Sequence, residues 1–329
     1  MPHRTYITQE EKALPGHTQC LITHHHIFNK GGGTGFIGTA LSHSLKRRGY
    51  DVLIVSRKPG VYRMTWSDLN QKGLPNSTTA VVSLAGQNVL DPTRRWTEGF
   101  KQNVWASRIN TTKYLAEAIK VSNIKPKVFV TASGVGFYPP NQDEVYDEDG
   151  PGGDFDFLSH LCYDWENAAN LPSHLDVRTV KIRIGVVLGR QGGMIKQLIF
   201  PFYMGFGGPV GSGDQPMPWI HVEDIVGIFI HAIESENVTG IVNGVAPQII
   251  TNKEFATAFG KALWRPSVVP LPTFAINMLF SEERGKIMTE GQKVIPKKAL
   301  RTGYSFKYPN ITCAAKEFSK IIYADELNM

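Results

Sequence analysis

The sequence predicts an α/β fold, in which a doubly wound parallel sheet is joined to a smaller α+β lobe, and three observations support this prediction. Short apolar runs alternate with helix-like segments through most of the chain, and continuous apolar runs are typical of parallel strands covered on both faces. A glycine-rich turn at residues 31–38 opens the first helical segment. The 329 residues are enough for one large core and a second lobe.

Local patterns justify each element in order. The segment 35–48 places its apolar residues on one helical face and is followed by Gly49, where a C-capping glycine belongs. Strands are predicted at 51–56, 80–84, 128–131 and 180–184, with helices at 100–120 and 158–169 between them. Beyond a glycine- and proline-rich stretch, the pattern predicts a helix at 222–233, a strand at 241–243 and a helix at 252–263. These later segments would form the substrate-side lobe.

The residues just before the glycine turn fit the fold poorly. A buried strand should precede the turn, yet the segment 27–30 contains only two apolar residues, Ile27 and Phe28. Either this segment forms a short strand of poor composition, or residues 1–30 come from an alternative or wrongly assembled exon. The second interpretation is favoured, and it predicts a poorly ordered N-terminal segment.

Composition excludes several classes of protein. Hydrophobic residues make up 42% and charged residues 19% of the chain, as in ordinary soluble domains. No apolar run reaches the roughly 18 residues of a membrane helix. The net charge of +6 is spread along the chain without interleaved aromatic residues. Neither a nucleic acid nor a membrane is therefore predicted as a partner.

The cysteines and the N-terminus bear on location and metal binding. Cys20, Cys162 and Cys313 are far apart and odd in number, which predicts a reducing compartment and no disulfide framework. The N-terminal residues show no apolar or arginine-rich targeting pattern. A cytoplasmic location is predicted, and a mitochondrial one stays open because an altered N-terminus would hide a native signal. The histidine triplet at 24–26 is interpreted as part of a solvated tail, so no metal site is predicted.

The glycine turn has the spacing of a dinucleotide-binding motif. Gly32 suits the tight turn, Gly35 the close approach of backbone to a pyrophosphate, and Gly38 the close packing of helix on sheet. The remaining residues of this predicted phosphate site are Thr34, Phe36 and Ile37, at the positive end of the helix. The turn, helix and strand follow in the order of a Rossmann-type sheet. The alternative is a purely structural turn before a helix.

The end of the next strand predicts which dinucleotide binds. An acidic side chain there would hydrogen-bond the ribose 2′-hydroxyl of NAD, but this chain has Ser56 and Arg57. A guanidinium forms paired, charged hydrogen bonds to a 2′-phosphate, so the predicted cofactor is NADP. The alternative is a solvated basic turn.

Seven stretches carry a resemblance to a known group of proteins. They read GGGTGFIG at 31–38, SLAG at 83–86, RRW at 94–96, SR at 107–108, PWIHVEDI at 218–225, NGVAP at 243–247 and GQKVIPKKALRTGYSFKYP at 291–309. On these residues the chain resembles the extended short-chain dehydrogenase/reductases, and within them an atypical epimerase-like family with its own C-terminal module. The predicted organisation is an atypical segment 1–30, an NAD(P)-binding epimerase-like domain 31–245 with substrate-side segments from about 190, and an accessory module 266–320.

The resemblance implies further cofactor contacts. Leu84 and Ala85 follow the strand where the backbone passes the adenosine ribose, Asn103 and Arg108 lie on the next helix, and Val187 corresponds to a residue beside the nicotinamide. Leu84 and Val187 are equally suited to core packing, and Arg108 to an exposed helix face.

The catalytic pattern of the superfamily is only partly present. Its reductases and epimerases use a Ser or Thr, a Tyr and a Lys four residues after the Tyr, the Lys lowering the pKa of the tyrosine. Ser133 keeps the first position, but alignment on Glu166 puts Leu158 at the Tyr position and Cys162 at the Lys position. Ser133 and Tyr138 are the predicted catalytic residues. Weaker candidates are His160, Cys162, Tyr163 and His221.

Two hypotheses of function follow. The first is an NADP(H)-binding oxidoreductase or epimerase-like protein acting on a small polar substrate, with an unconventional proton donor. The alternative is a catalytically silent NADPH-binding sensor or scaffold. An oligomer is compatible with either hypothesis. The acidic run at 147–149 is interpreted as a solvated loop at the rim of the substrate pocket, and the alternative is a lid.

Overall fold

Strands and helices alternate along most of the chain in the computed structural model, which describes residues 19–23, 35–91 and 93–320. The strands are β1 (Gln19–Thr23), β2 (Asp51–Ser56), β3 (Arg63–Thr65), β4 (Thr78–Ser83), β5 (Val128–Gly134), β6 (Asn141–Tyr146), β7 (Arg178–Ile184), β8 (Val186–Leu188), β9 (Trp219–His221), β10 (Gly240–Gly244) and β11 (Gln292–Val294). The helices are α1 (Phe36–Arg47), α2 (Trp66–Lys72), α3 (Glu98–Val121), α4 (Phe157–Ala168), α5 (Gly193–Tyr203), α6 (Val222–Glu234), α7 (Asn252–Ala262), α8 (Thr273–Phe280), α9 (Glu282–Thr289), α10 (Lys297–Arg301) and α11 (Ile311–Phe318). None of the helices in these ranges is both long and apolar enough to cross a bilayer.

The central sheet confirms the predicted fold class. Among the described residues it has seven strands in the order β10-β7-β5-β4-β1-β2-β3, and each neighbouring pair is parallel. The strand order reverses between β1 and β4, which is the switch point at which Rossmann-type sheets bind their ligands. The fold is therefore a doubly wound α/β sheet of the Rossmann type.

The first strand lies elsewhere than the sequence predicts. It is β1, formed by residues 19–23, whereas the predicted segment 27–30 lies outside the described residues. β1 pairs with β2 on one side and with β4 on the other, so it occupies the centre of the sheet. The N-terminal segment expected to be poorly ordered thus contributes a central strand.

Both faces of the sheet are buried, as the apolar strands predict. Alternate residues of one strand enter different clusters, because side chains on a strand point to opposite faces. Val82 of β4 belongs to a cluster with Leu41 of α1 and Phe229 of α6, and Val81 belongs to a second cluster that includes Leu115 of α3. Helices α1 and α6 pack against each other, as do α3 and α4.

Helix α1 ends at the predicted glycine. Gly49 has a φ of +84°, in the left-handed region that favours glycine. Its N–H donates to Lys46 O at 3.0 Å, and the N–H of Tyr50 donates to Leu45 O at 3.1 Å. These two bonds form a Schellman motif, which turns the chain directly into β2.

The strands and helices near the C-terminus contact several separate parts of the molecule. Strand β11 pairs with β6 in a separate parallel ladder, while α11 packs on α7. Asp224 of α6 is buried, and its carboxylate accepts hydrogen bonds from the backbone N–H groups of Lys307 at 2.7 Å and Tyr308 at 2.9 Å. A Cβ on Gly227 would overlap the hydroxyl of Tyr304. Because Gly227 has no side chain, the C-terminal segment has room to pack on α6.

A helical hairpin, α8–α9, is attached through the buried side chain of Arg284. The guanidinium donates to the carbonyl oxygens of Val89 at 2.6 Å and Arg94 at 2.8 Å, and also to that of Asp91. It lies 5.5 Å from the centre of the Trp96 ring. The hairpin is thus fixed to the loop that follows β4.

His231 gives one pH-dependent prediction. Its Nε2 lies 3.0 Å from Thr302 Oγ1 and its Nδ1 lies 3.0 Å from Ser235 Oγ, and burial lowers its pKa below the ordinary value of 6.5. Below that value the unfolded chain binds a proton that the folded chain resists, so the free energy of unfolding should fall as the pH falls. The effect is expected to be modest because the ring is half-buried.

Urea titrations at about pH 7 and about pH 5.5 test this expectation. His231→Gln should reduce the loss of stability on acidification, whereas His174→Gln, at an exposed position, should leave it unchanged. An acid-induced loss of the same size in both variants would contradict the assignment.

Candidate functional site

The start of α1 lies beside the switch point of the sheet. Gly32 and Thr34, predicted to contact phosphate, lie outside the described residues. Gly35 precedes α1, and Gly38 is buried within its first turn. Ile37 packs against the cluster that contains Leu41 and Phe229, which is called the main core. A Cβ on Gly35 would meet no described atom within 4 Å. Among the described residues, none therefore crowds the side-chain position of Gly35.

The ring of Phe36 packs against the loop between β8 and α5. A Cβ on Gly189 would lie 2.8 Å from Phe36 Cζ, and one on Gly192 would lie 2.5 Å from its Cγ. The ring thus fills the space of two side chains in the loop between β8 and α5. Both glycines belong to the glycine-rich stretch seen in the sequence, but their contact with Phe36 is non-local and no sequence pattern predicts it.

Ser56 is the last residue of β2, and Arg57 follows it. Ser56 is fully buried, and its hydroxyl donates to Lys58 O at 2.6 Å. This bond holds the turn after the strand. Arg57 is exposed on that turn.

The turn after β4 is built around Arg108. Ala85 is fully buried, Leu84 packs against the main core, and a Cβ on Gly86 would lie 3.0 Å from Arg108 Cζ. The guanidinium donates to Gln87 O at 2.9 Å, and burial lowers its pKa. Arg108 therefore holds the backbone of this turn in place.

The two other predicted cofactor residues lie on different elements. Asn103 is exposed on α3, earlier on the same helix as Arg108. Val187, in β8, is partly buried, packs against the main core and pairs with Ile220 of β9.

Ser133 belongs to a buried ionic cluster. Its hydroxyl donates to Glu166 Oε1 at 2.9 Å. Arg183 donates to both oxygens of the same carboxylate, through Nε at 2.8 Å and Nη2 at 3.0 Å. Ser133, Glu166 and Arg183 are each buried. The Ser133 hydroxyl is therefore already committed to a charged acceptor.

Tyr138 is part of the same cluster and is fully buried. Its hydroxyl accepts a hydrogen bond from Arg183 Nη1 at 2.9 Å and lies 2.8 Å from both Asp147 O and Asn243 Oδ1. Burial raises the pKa of this phenol. The hydroxyl is thus enclosed by protein groups, and its predicted catalytic role stays a prediction.

The positions aligned with the superfamily's Tyr and Lys hold two apolar side chains, Leu158 and Cys162. This pair is called the floor of the site. A Cβ on Gly136 would lie 3.3 Å from Leu158 Cβ, and one on Gly134 would lie 3.3 Å from Cys162 Sγ. Cys162 is buried, and burial raises the pKa of its thiol to about 12. Helix α4 thus brings these two side chains against the end of β5, as the alignment on Glu166 implies.

The weaker catalytic candidates are engaged elsewhere. His160 lies 3.3 Å from Asp154 and 3.5 Å from Asp164 on the exposed side of α4, where Tyr163 is also exposed. His221 is buried at the start of α6 and lies 2.9 Å from Glu317. Within the described ranges, no group of three or more His, Cys, Asp or Glu side chains is placed to hold a metal.

The sequence interpretation missed the charged partners of this cluster. Glu166 served only as an alignment anchor, and Arg183 was treated as part of a strand; a charged residue inside an apolar strand pattern was the available signal. The acidic run at 147–149 is also not simply a solvated loop. Glu148 is buried and accepts hydrogen bonds from the backbone N–H groups of Asn243 and Lys298, each at 3.0 Å. This run therefore joins the C-terminal segment to the sheet.

Comparisons with known proteins agree with this architecture. A family model described as the NAD dependent epimerase/dehydratase family matches residues 31–243, and a domain of unknown function, DUF1731, matches residues 271–318. The epimerase family protein SDR39U1 of Bos taurus is 50% identical over 288 residues, which cover 87% of this chain and 97% of the relative. A chloroplastic homologue from Arabidopsis thaliana is 36% identical, with 87% and 84% of the two chains covered.

Solved structures show the same relationship. The crystal structure of human SDR39U1 with NADPH superposes with a TM-score of 0.88 at 48% identity, covering 92% of this chain and all of that one. The UDP-N-acetylglucosamine 4-epimerase of Bacillus cereus, at 19% identity and a TM-score of 0.70, covers 92% and 95% of the two chains and shares the fold. With residues 31–243 matched by the family model and half of the aligned positions identical in the bovine relative, the chain belongs to the NAD dependent epimerase/dehydratase family.

Proposed function

We propose that this protein binds NADP(H) along the carboxyl edge of its sheet and transfers hydride between the cofactor and a small molecule. The observation that carries the proposal is topological. β1 lies between β2 and β4, so the start of α1, the turn bearing Arg57 and the turn after β4 all belong to one edge of the sheet. Human SDR39U1, at 48% identity, was crystallised with NADPH.

The residues present fit a dinucleotide. Gly32, Thr34 and Gly35 would pass their backbone along the pyrophosphate at the N-terminal end of α1, which favours an anion. Arg57 would meet the 2′-phosphate, and Leu84 and Ala85 the adenosine side. Val187 would lie beside the nicotinamide. Since Arg108 already donates to Gln87 O, we assign it to positioning the β4 turn.

The bound cofactor would supply a hydride at its nicotinamide ring. The chain's contribution is to hold that ring against the apolar floor of Leu158 and Cys162 and to exclude water from it. Ser133 and Tyr138 would stabilise the backbone of this floor through their bonds to Glu166 and Arg183. They are positioning residues in this proposal.

A second candidate function is binding without turnover. The observation that favours it is the closed ionic cluster, in which the hydroxyls of Ser133 and Tyr138 both have protein partners. A protein of this kind would use NADPH occupancy as a signal or as structural support.

Cofactor preference tests the proposal. NADPH is expected to bind more tightly than NADH, because only NADPH offers Arg57 a 2′-phosphate. Arg57→Ala should weaken NADPH binding by roughly 10- to 100-fold, the equivalent of one charged hydrogen-bonded contact, while leaving NADH nearly unchanged. Titration of the reduced-nicotinamide fluorescence measures both dissociation constants.

The neighbouring residue provides a matched control. Lys58 is also exposed on the turn, and Lys58→Ala should change NADPH affinity much less than Arg57→Ala. Equal dissociation constants for NADPH and NADH in the unaltered protein would overturn the choice of NADP.

A further inference from the structure

Among the described residues, the floor of the proposed hydride-transfer site is formed by side chains that are poor acids. The positions at which relatives of the superfamily place a phenol and an ammonium hold Leu158 and Cys162, packed against Gly136 and Gly134. The thiol of Cys162 is buried with a pKa of about 12, so it gives up its proton reluctantly at neutral pH. A carbonyl lying against Leu158 and Cys162 would therefore not be protonated by either of these two side chains.

The hydroxyls next to the floor are also committed. The Ser133 hydroxyl donates a hydrogen bond to Glu166 Oε1 at 2.9 Å. The Tyr138 hydroxyl receives a hydrogen bond from Arg183. It also lies 2.8 Å from two acceptors, Asp147 O and Asn243 Oδ1. Burial raises the pKa of Tyr138. Either hydroxyl would have to break its hydrogen bond to a protein acceptor before it could donate to a substrate.

Two cations near the floor keep their protons. Lys101 Nζ lies 2.7 Å from Glu283 and 3.2 Å from Glu98, and its hydrogen bond to Glu283 raises its pKa. Arg108 carries a guanidinium, which does not act as an acid near neutral pH. Neither group is therefore a competent proton donor.

Aromatic side chains border the same floor. Phe157 precedes Leu158 on α4, and its ring lies edge-on to Trp96 with 5.3 Å between the ring centres. Lys101 Nζ is 5.6 Å from the centre of the Trp96 ring and 5.9 Å from that of Phe157. Trp96, Phe157 and Leu158 are only partly buried, so this edge is apolar and accessible. Such a surface offers aromatic and aliphatic contacts to a flat conjugated ring.

Resting on the proposed function, we infer that the hydride acceptor is a planar conjugated ring system, of the quinone or flavin type. Hydride from NADPH adds its electron pair to such a ring and produces a delocalised anion, which takes its proton from water. The products are NADP⁺ and the reduced ring, so the step consumes one hydride and one solvent proton. An ordinary ketone would instead form a localised alkoxide, whose protonation by a positioned acid is worth roughly 10²- to 10⁴-fold in rate. This inference replaces the polar substrate expected from the sequence.

The test uses the full chain with NADPH and follows the absorbance of the reduced nicotinamide. 2-Methyl-1,4-naphthoquinone and flavin mononucleotide represent the inferred class, and an aldose and a simple cyclic ketone represent acceptors that need an acid. The conjugated acceptors should be reduced at least about 100-fold faster, the usual contribution of the missing acid. Their kcat should also show no titrating enzymic acid between about pH 6 and about pH 8. Faster reduction of the aldose or ketone, or an acidic group in the pH profile, would overturn the inference.

Variants separate this inference from cofactor binding. Phe157→Ser, which removes an aromatic ring beside the floor, should lower kcat/KM for the quinone by 10-fold or more, at roughly 1.4 kcal/mol per tenfold, without changing the dissociation constant of NADPH. Tyr163→Ser, on the exposed side of α4, should leave both unchanged. If NADPH binds and no conjugated acceptor oxidises it, the inference fails while cofactor binding stands. If NADPH itself does not bind, the proposed function fails.

Discussion

Glu166→Leu is expected to lower the free energy of unfolding by about 3–5 kcal/mol, the usual cost of leaving one partner of a buried ion pair without the other. Arg183 is buried, and both of its hydrogen bonds to a carboxylate end on Glu166. The substitution also removes the acceptor of the Ser133 hydroxyl. Equilibrium denaturation in urea, with the midpoint and slope both measured, gives the loss directly.

Two further variants sharpen this result. Glu166→Leu combined with Arg183→Met should recover part of the loss, because an apolar pair of similar size often replaces a buried ion pair at little cost. Glu117→Leu breaks the exposed contact with Lys120 and should cost no more than about 0.5 kcal/mol. A loss for Glu166→Leu as small as that for Glu117→Leu would mean that water, and not the carboxylate, satisfies Arg183.

Arg284→Met should have the second-largest effect on stability. Three carbonyl oxygens, of Val89, Asp91 and Arg94, accept hydrogen bonds from this buried guanidinium. Asp91 O keeps the backbone N–H of Arg94 as a donor, so the other two oxygens lose theirs, and at about 1–3 kcal/mol for a buried acceptor left without a donor a loss of about 2 kcal/mol or more is expected. Amide hydrogen exchange should accelerate in α8 and α9 and in the loop at 87–97, which the side chain joins.

The same hairpin offers a control. Lys286 is exposed on α9, and Lys286→Met should leave both stability and exchange rates nearly unchanged. If Arg284→Met accelerated exchange throughout the sheet and not in the hairpin, Arg284 would be acting through global stability and not as a local attachment.

Much of the sheet follows from local composition. The apolar runs at 51–56, 80–84, 128–131 and 180–184 correspond to β2, β4, β5 and β7 because buried parallel strands need apolar residues on both faces. Gly49 ends α1 because only a left-handed residue closes that turn. β1 was missed for a positional reason. Cys20, Leu21 and Ile22 form an apolar run, but the strand is expected immediately before the glycine turn, at residues 27–30.

The candidate site was less predictable because its contacts are non-local. The place of Ser133 at the end of a strand follows from the sequence, whereas its bond to Glu166 depends on how α4 packs beside β5 and β7. The burial of Tyr138 likewise depends on Asn243, more than a hundred residues away. Sequence patterns locate such residues on elements, and tertiary packing decides whether their polar atoms face a ligand or one another.

The contact between Gly227 and Tyr304 constrains how this protein can evolve. Because the tyrosine hydroxyl occupies the place of a Cβ at 227, a side chain at that position becomes tolerable only after Tyr304 has been replaced by something smaller. Loss of the C-terminal segment would in turn leave the Asp224 carboxylate without its two backbone donors. The two parts of the chain are therefore expected to be inherited together, and a change at one position to be followed in descendants by compensation at the other.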